Sequence, residues 1–250
     1  MRKFILITGS NGKIGSSIVK KLLKKNYNVI ATYNEKKDRI SKVLNKNKSK
    51  DNFLLYKFRQ EKIFEYKKFF NYLIKHKIEL IAGINTAVIR PMKKGLKDSF
   101  FNWEKSIKVN SNLNFLFTKN LCDYFSKKGG GKVINIGSIY GSVGPDMNLY
   151  KNENFQLEPD YVYNKFALVG LTKYFASVYG KYKVNVNLIS PGGFMEKQSK
   201  KFQLKYSKKT FLNRMVNYDE INGLVIYLIS NNSSYMTGQN LILDGGFTSN

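Results

Sequence analysis

A regular alternation of short apolar runs with longer amphipathic stretches constrains the fold of this 250-residue chain more than any other feature. In several of the short runs the apolar residues are nearly continuous, as in strands that helices cover on both faces. This alternation predicts one doubly wound α/β domain with a mostly parallel sheet. Strands are predicted at residues 4–8, 27–33, 53–58, 80–85, 132–137, 184–190 and 240–243. Helices are predicted at residues 14–25, 62–75, 102–127, 161–179 and 219–230.

The formal net charge of +26 raises the question of nucleic-acid binding. Only five of the 43 basic residues are arginines, the residue type that usually reads bases and phosphate pairs. The lysines are spread along the whole chain instead of forming one basic arm. We therefore expect no nucleic-acid partner, although the charge favours anionic substrates.

The composition also bears on the cellular location. Cys122 is the single cysteine, which excludes an internal disulfide framework and fits a reducing compartment. The N-terminal apolar run is too short for the core of a signal peptide, and no run approaches the roughly 18 apolar residues of a membrane span. We expect a cytoplasmic protein with no membrane partner.

A glycine-rich segment between the first strand and the first helix predicts a phosphate-binding loop. Glycines let the backbone turn tightly and approach a pyrophosphate, and the helix N-terminus offers free N–H groups and a positive dipole end. The position of the segment directly after the first strand strengthens the prediction beyond what glycines alone support. The cofactor-binding residues predicted here are Gly9, Ser10, Asn11, Gly12, Lys13, Ile14 and Gly15.

The spacing Tyr-x-x-x-Lys marks a candidate catalytic pair. With 17 tyrosines and 43 basic residues, about three such pairs are expected by chance, and four occur. Tyr161 and Lys165 stand out because their predicted helix follows a strand that ends at Ser138 and leads into a strand that ends before Pro191. Open α/β sheets bind ligands beyond such strand ends. Positions i and i+4 share one helix face, so the two side chains are neighbours.

This pairing suits the oxidation of an alcohol, which needs a base near neutral pH. Lowering the tyrosine pKa of about 10 by about three units costs about 4 kcal/mol. A cation about 4 Å away, at an effective dielectric constant of about 20, supplies about that much. Lys165 is predicted to be this cation, and Ser138 is predicted to hydrogen-bond the substrate oxygen.

Together these motifs resemble the short-chain dehydrogenase/reductase family, in the same order from residue 4 to residue 247. The resemblance implies a single-domain Rossmann fold over residues 1–250, with seven strands and helices on both faces. It implies Ser138, Tyr161 and Lys165 as catalytic residues, and Asn110 as the helix residue that helps to hold a proton-relay water. No metal site is implied. The further cofactor-binding residues that it implies are Asn85, Thr86, Ala87, Tyr161, Lys165, Pro191, Gly192 and Gly193.

The chain departs from the family pattern in two places. Compact members have Thr-Gly-x-x-x-Gly-x-Gly in the first loop, whereas this chain has Gly12 one position early and Lys13 where the middle glycine is expected. That spacing resembles the extended, sugar-nucleotide-modifying branch. Thr86 and Ala87 replace the Ala-Gly that follows the strand-end asparagine in relatives.

The implied cofactor is NADP or NAD. An acidic residue at the end of the second strand favours NAD, but this strand ends in Tyr33 and Asn34, which we predict as cofactor-binding residues. Lys13, Lys36 and Lys37 can meet a 2′-phosphate, although each is equally compatible with a surface position. NADP is therefore slightly favoured.

Two segments are predicted to shape the substrate site. Segment 144–159 is longer than in compact relatives and must leave the sheet beside the substrate, and segment 194–211 is predicted to form a flap. The polar and aromatic residues of the first segment suit a sugar or a nucleotide sugar, although an ordinary surface insertion fits equally well. The stretch from Ser138 to Gly193 resembles members that act in flagellin glycosylation and sialic-acid-like sugar biosynthesis.

The resulting prediction is an NAD(P)-dependent oxidoreductase that interconverts a secondary alcohol and a ketone, on a carbohydrate-like small molecule in surface glycan biosynthesis. Two alternatives stay open. One is a reductase of the 3-oxoacyl-carrier-protein or general carbonyl type, and the other is a non-catalytic NAD(P)-binding sensor or scaffold. The resemblance also implies a homotetramer or homodimer formed through helices 102–127 and 161–179.

Overall fold

The computed structural model describes residues 1–46, 51–151, 153 and 155–249. These residues form seven strands and seven α-helices, with one helix between successive strands except for two between the sixth and seventh strands. The strands are β1 (Arg2–Thr8), β2 (Val29–Tyr33), β3 (Phe53–Lys57), β4 (Ile78–Asn85), β5 (Gly131–Ile136), β6 (Val184–Pro191) and β7 (Asn240–Leu243). The helices are α1 (Lys13–Lys24), α2 (Asp38–Lys46), α3 (Ile63–Lys75), α4 (Phe100–Ser126), α5 (Pro159–Tyr179), α6 (Lys200–Ser207) and α7 (Tyr218–Ile229).

The strands form one sheet in the order β3-β2-β1-β4-β5-β6-β7. Every described pair of neighbouring strands is parallel, so the predicted doubly wound Rossmann sheet is confirmed and is fully parallel. The strand order reverses between β1 and β4, which pair from Arg2↔Ile78 to Thr8↔Asn85. A reversal of this kind opens a crevice at the carboxyl ends of the strands, where such sheets bind ligands.

Two hydrophobic cores cover the two faces of the sheet. In β1, Ile5 and Ile7 face one core together with α1 and α7, while Phe4 and Leu6 face the other core together with α3, α4 and α5. All four side chains are almost completely buried. Because successive residues of a strand point to opposite faces, this nearly continuous apolar run is what a strand between two helical layers requires.

Two elements of the structure were not predicted as helices. Helix α2 spans only nine residues, and so short a stretch shows too few turns for apolar spacing alone to distinguish a helix from a loop. Helix α6 lies within segment 194–211 and begins after Ser199, whose hydroxyl accepts a hydrogen bond from the amide of Phe202. This cap, and packing of Phe202 into a small third core, stabilise a helix of eight residues that is too short to be stable by propensity alone.

Segment 144–159 lies beside the carboxyl ends of the strands. Met147–Leu149 form one turn of 3-10 helix, capped by the carboxylate of Asp146. Tyr150 and Phe155 pack against Phe202 of α6, with ring centroids 5.6 and 5.0 Å from the Phe202 ring. Residues 152 and 154 of this predicted insertion lie outside the described residues.

No helix in the described part of the chain is long and apolar enough to cross a bilayer.

Candidate active site

A crevice of about 450 Å³ lies at the carboxyl ends of the strands. It brings together residues from the glycine-rich loop, from the ends of β4, β5 and β6, and from α5. The residues predicted from the sequence that line it are Gly12, Lys13, Ile14, Gly15, Thr86, Ser138, Tyr161, Lys165, Pro191, Gly192 and Gly193. The predicted pair and the predicted phosphate loop therefore share one cavity.

The glycine-rich loop has the geometry of an anion cradle. Gly9 has φ of +66°, and a Cβ atom there would lie 2.7 Å from the amide nitrogen of Ala87. A Cβ atom on Gly15 would lie 2.6 Å from the carbonyl oxygen of Gly9, so α1 begins in direct contact with the loop. Gly12 precedes α1, and among the described residues no side chain caps this helix. Its first N–H groups are therefore available to a pyrophosphate.

Two other side chains of the loop serve the fold. The Ser10 hydroxyl is fully buried and donates to the carbonyl oxygen of Ile7. The side-chain oxygen of Asn11 accepts hydrogen bonds from the amides of Arg39 and Ile40, at 2.9 and 3.1 Å. The Ser10 amide also donates to the carbonyl oxygen of Thr32 at 3.2 Å, so both donors of Ser10 are used within the protein, and contact of Ser10 or Asn11 with a cofactor stays a prediction.

Arg39 is a candidate cofactor-binding residue that was not predicted from the sequence. Its guanidinium donates to the carbonyl oxygen of Asn11 at 3.1 Å, which ties the start of α2 to the phosphate loop. Its position depends on α2, a helix absent from the prediction.

Tyr33 ends β2 and is half-buried, and Asn34 is exposed. The ammonium of Lys37 lies 5.8 Å from the centroid of the Tyr33 ring.

Lys13, which stands where relatives have a glycine, bridges the crevice. Its ammonium forms an ion pair with Glu196, on the loop that follows β6. The hydroxyl of Tyr218 donates to the same carboxylate. Burial opposes ionisation of Glu196, but these two partners outweigh it, and the pKa of Glu196 is lowered. The contact joins the phosphate loop to the segment predicted as a flap.

Tyr161 and Lys165 lie one turn apart on α5, as their spacing predicts. The Lys165 ammonium is buried, lies 5.5 Å from the Tyr161 ring centroid and donates to the carbonyl oxygen of Ile136 at 2.8 Å. Burial lowers the pKa of Lys165, and the neighbouring phenol opposes that effect. Burial alone would raise the pKa of Tyr161. The charges of Lys165 and Arg90, with hydrogen bonding by Ser138, outweigh it and leave the pKa of Tyr161 below its ordinary value.

Arg90 is the second site residue that sequence reasoning missed. It follows β4, and its guanidinium carbon lies 4.2 Å above the centroid of the Tyr161 ring. A guanidinium at this distance over an aromatic face is within the range of a cation–π contact. The primary sequence places these residues far apart, and only the alignment of the ends of β4 and β5 brings them together.

Asn110 anchors the loop that carries Arg90. The Asn110 side-chain oxygen accepts from the amide of Ile89 at 2.9 Å, and its side-chain nitrogen donates to the carbonyl oxygen of Ile89 at 3.0 Å. A cavity of about 10 Å³ lies between Asn110, Lys165 and Asn164. This is about the space that one water molecule needs, and Asn110, Asn114, Tyr161, Asn164 and Lys165 provide polar groups in its wall. The arrangement is compatible with the relay water that the resemblance implied.

The Asn85 side chain points away from the crevice. Its amide oxygen accepts from Thr8 and Gln60, both at 2.9 Å, and its amide nitrogen donates to Asn114 at 3.0 Å. Its side chain thus joins β1, β4 and α4. Thr86 reaches the crevice, with its hydroxyl donating to the carbonyl oxygen of Thr8 at 2.7 Å.

The turn after β6 is closely packed. The amide of Gly193 donates to the hydroxyl of Tyr206 at 2.6 Å. A Cβ atom on Gly193 would lie 2.9 Å from the Tyr206 ring, so the turn needs glycine at this position. In the described part of the chain, no group of three or more potential metal ligands occurs.

Comparisons with known proteins extend over the whole chain. A family profile described as enoyl-(acyl carrier protein) reductase matches residues 9–248. The post-translational flagellin modification protein A of Campylobacter coli is 26% identical over 268 residues, which cover 98% of each protein. The 3-oxoacyl-acyl-carrier-protein reductase of Buchnera aphidicola is 31% identical over 260 residues, covering 98% of this chain and 97% of that protein.

Among solved structures, a short chain dehydrogenase from Leptospira borgpetersenii with bound NAD+ has a TM-score of 0.88 and 32% identity to this chain. The match covers 99% of this chain and 93% of that one. Both the sequence and the structural comparisons thus cover nearly the whole chain.

Proposed function

Because this chain belongs to the short-chain dehydrogenase/reductase family, and is thus an NAD(P)-dependent oxidoreductase acting on CH–OH groups, we propose that its substrate is carbohydrate-like and that Tyr161 is its acid–base residue. The single observation that carries the catalytic assignment is the position of Tyr161. Two cations, Arg90 and Lys165, lie close to its ring in a crevice that also contains the phosphate loop.

The cradle fits a dinucleotide. Gly9, Gly12 and Gly15 leave the space that a Cβ atom would fill, and the uncapped start of α1 faces the same side. The loop and helix start would hold the pyrophosphate, and the turn Pro191–Gly193 and Lys165 would hold the nicotinamide riboside. When bound, the nicotinamide ring supplies or accepts the hydride.

The residues of this chain manage the proton. In oxidation the Tyr161 phenolate accepts the hydroxyl proton of the substrate, and in reduction the neutral phenol donates it. The Lys165 and Arg90 charges favour the phenolate, and the Ser138 hydroxyl is placed to hydrogen-bond the substrate oxygen, where negative charge develops. Asn110 and the small polar cavity beside Lys165 provide a place for a water that returns the proton to Tyr161.

The crevice walls support a carbohydrate-like substrate in surface glycan biosynthesis. Tyr140 and Tyr150 line the crevice, and their hydroxyls lie 2.7 Å apart. Phe155 and Phe202 continue the same surface. Aromatic faces with hydroxyls at their edges suit a ring that has one apolar face and many hydroxyl groups. The whole-length similarity to a flagellin modification protein supports the same assignment.

We also propose NADP as the preferred cofactor. Arg39 is held against the phosphate loop by Asn11, and Lys37 lies beside Tyr33 at the end of β2, where an acidic residue would favour NAD. In fluorescence titrations, Arg39→Met should weaken binding of NADPH while leaving binding of NADH unchanged, and Arg2→Met should alter neither. A clear preference of the unmodified protein for NADH would end this proposal.

A homotetramer or homodimer is proposed from the surfaces of α4 and α5, and a cytoplasmic location from the single cysteine, Cys122. Large side chains are exposed on these two helices: Phe115 by 44%, Phe166 by 45% and Tyr174 by 64%. Clusters of exposed apolar residues on two neighbouring helices favour association. Light scattering at micromolar concentration should give at least a dimer, and a monomer would contradict the proposal.

Replacement of Tyr161 by phenylalanine tests the activity. The change removes one hydroxyl and keeps the ring, so NADPH binding should persist while turnover falls at least a hundredfold. Tyr163→Phe, on the same helix with half of the residue exposed, is the matched control. Unchanged turnover in Tyr161→Phe would refute the assignment, and a protein that binds NADPH but turns over no substrate in either form would be a sensor or scaffold.

A second candidate function is reduction of 3-oxoacyl thioesters. The net charge of +26 suits an acidic carrier protein, and a whole-length relative is a reductase of that type. Parallel screens with keto sugars and with acetoacetyl-coenzyme A, followed by nicotinamide absorbance, separate the two. Activity on the thioester alone would favour the second candidate.

A further inference from the structure

Arg90 is the least compensated charge of the crevice. Among the described residues, four charged side chains line this cavity: Lys13, Arg90, Lys165 and Glu196. Lys13 and Glu196 form an ion pair. Lys165 donates to a backbone carbonyl and faces the phenol of Tyr161. None of the ion pairs between described residues includes Arg90.

The environment of Arg90 is suited to binding a ligand. Its guanidinium carbon lies 4.2 Å from the centroid of the Tyr161 ring, and a group with five N–H donors can contact the phenol and still bind an anion. Tyr140, Tyr150 and Phe155 line the same crevice. Among the described lining residues Glu196 is the one carboxylate, and it is paired with Lys13, so no carboxylate of the lining competes with an incoming anion for the exposed guanidinium of Arg90.

We propose that Arg90 binds an anionic group of the substrate, a carboxylate or a phosphate, and thereby selects acidic carbohydrate-like substrates over neutral ones. A guanidinium edge matches both groups with two parallel hydrogen bonds. Since Arg90 touches Tyr161, an anion held by it lies within one small molecule's length of the phenol that handles the proton. Arg90 therefore also sets which carbon of the substrate reaches Tyr161. This inference rests on the proposed oxidoreductase function.

Three ketoses that differ at one carbon provide the probes. 5-Keto-D-gluconate carries a carboxylate, L-sorbose carries a neutral hydroxymethyl group at the same position, and L-sorbose 6-phosphate carries a phosphate there. Binding is measured by calorimetry with the protein saturated with oxidised NADP, so that the ketone cannot be reduced. The same titrations are made with Arg90→Met, with Arg90→Lys and with Arg2→Met, which removes an equal charge outside the crevice.

The unmodified protein should bind at least one of the two anionic probes about tenfold or more tightly than L-sorbose. Arg90→Met should abolish that difference, Arg90→Lys should restore part of it, and Arg2→Met should keep it. Tighter binding of the keto acid identifies a carboxylate substrate, and tighter binding of the phosphate ester identifies a phosphorylated one.

Equal binding of the three probes, including no detectable binding of any, overturns the proposal, and so does an anion preference that survives Arg90→Met. A separate titration with NADPH distinguishes failure of the proposed function from failure of the role of Arg90. If the unmodified protein does not bind NADPH, the proposed function itself is contradicted. If it binds NADPH but shows no preference for anions, only the role of Arg90 is contradicted. Melting temperatures of the variants confirm that each is folded.

Discussion

Replacing Lys165 with methionine removes one of the two positive charges beside Tyr161 and keeps the length of the side chain. The Lys165 ammonium lies 5.5 Å from the centroid of the Tyr161 ring. At an effective dielectric constant of about 20, two unit charges at that separation interact by about 3 kcal/mol. One pKa unit corresponds to about 1.36 kcal/mol, so the pKa of Tyr161 should rise by about two units in Lys165→Met.

The phenolate absorbs ultraviolet light where the phenol does not, so the shift is measurable without a substrate. Titration of the protein and of Tyr161→Phe gives Tyr161 by difference, and the same pair of titrations is made in the Lys165→Met background. Lys173→Met, an exposed position of the same helix, controls for the loss of a charge on α5. It should leave the titration of Tyr161 in place.

The pH dependence of the rate should shift with the pKa of Tyr161, and it should have opposite slopes for oxidation and for reduction. Oxidation needs the phenolate, so its rate rises with pH through the pKa of Tyr161, and in Lys165→Met that rise moves about two pH units upward. Reduction needs the neutral phenol, so its rate falls with pH through the same pKa. A titration of Tyr161 that is unchanged by Lys165→Met would refute the electrostatic reasoning for this pair.

Three further predictions concern the frame of the site. Gly9→Ala places a Cβ atom 2.7 Å from a backbone nitrogen at φ of +66°, so chemical denaturation should show a loss of more than about 1 kcal/mol and NADPH should bind more weakly, whereas Gly144→Ala, with open space around it, should change neither. Asn110→Ala removes the hydrogen bonds that hold the Arg90 loop and should lower the unfolding free energy by about 1–3 kcal/mol, while exposed Asn112→Ala should stay within about 0.5 kcal/mol. Burial raises the pKa of the Cys122 thiol, so iodoacetamide should leave the folded protein unmodified and alkylate it only after denaturation, as mass spectrometry would show.

The sheet was predictable because both of its faces are buried. A strand such as β1 carries apolar side chains in both directions, and that pattern is visible in a single sequence. Helices α2 and α6 were missed for the opposite reason. Both helices are short and basic. The side chain of Asn11, distant in sequence, caps α2, and α6 is stabilised by packing of one aromatic side chain, Phe202.

The residues of the candidate site also fall into those that the sequence predicted and those that only the structure reveals. The positions of Tyr161, Lys165 and Ser138 followed from local spacing and from the rule that strand ends meet at one edge of a sheet. Arg90 and Arg39 were not found because their roles depend on which loops lie side by side. The inward direction of Asn85 was equally invisible, since its partners come from three other elements.

The position of the bound cofactor tests the central claim most directly. A crystal structure of the protein with oxidised NADP should show the pyrophosphate at the Gly9–Gly15 loop and the nicotinamide ring beside the hydroxyls of Tyr161 and Ser138. A pyrophosphate bound elsewhere, or a nicotinamide ring turned away from Tyr161, would contradict the account.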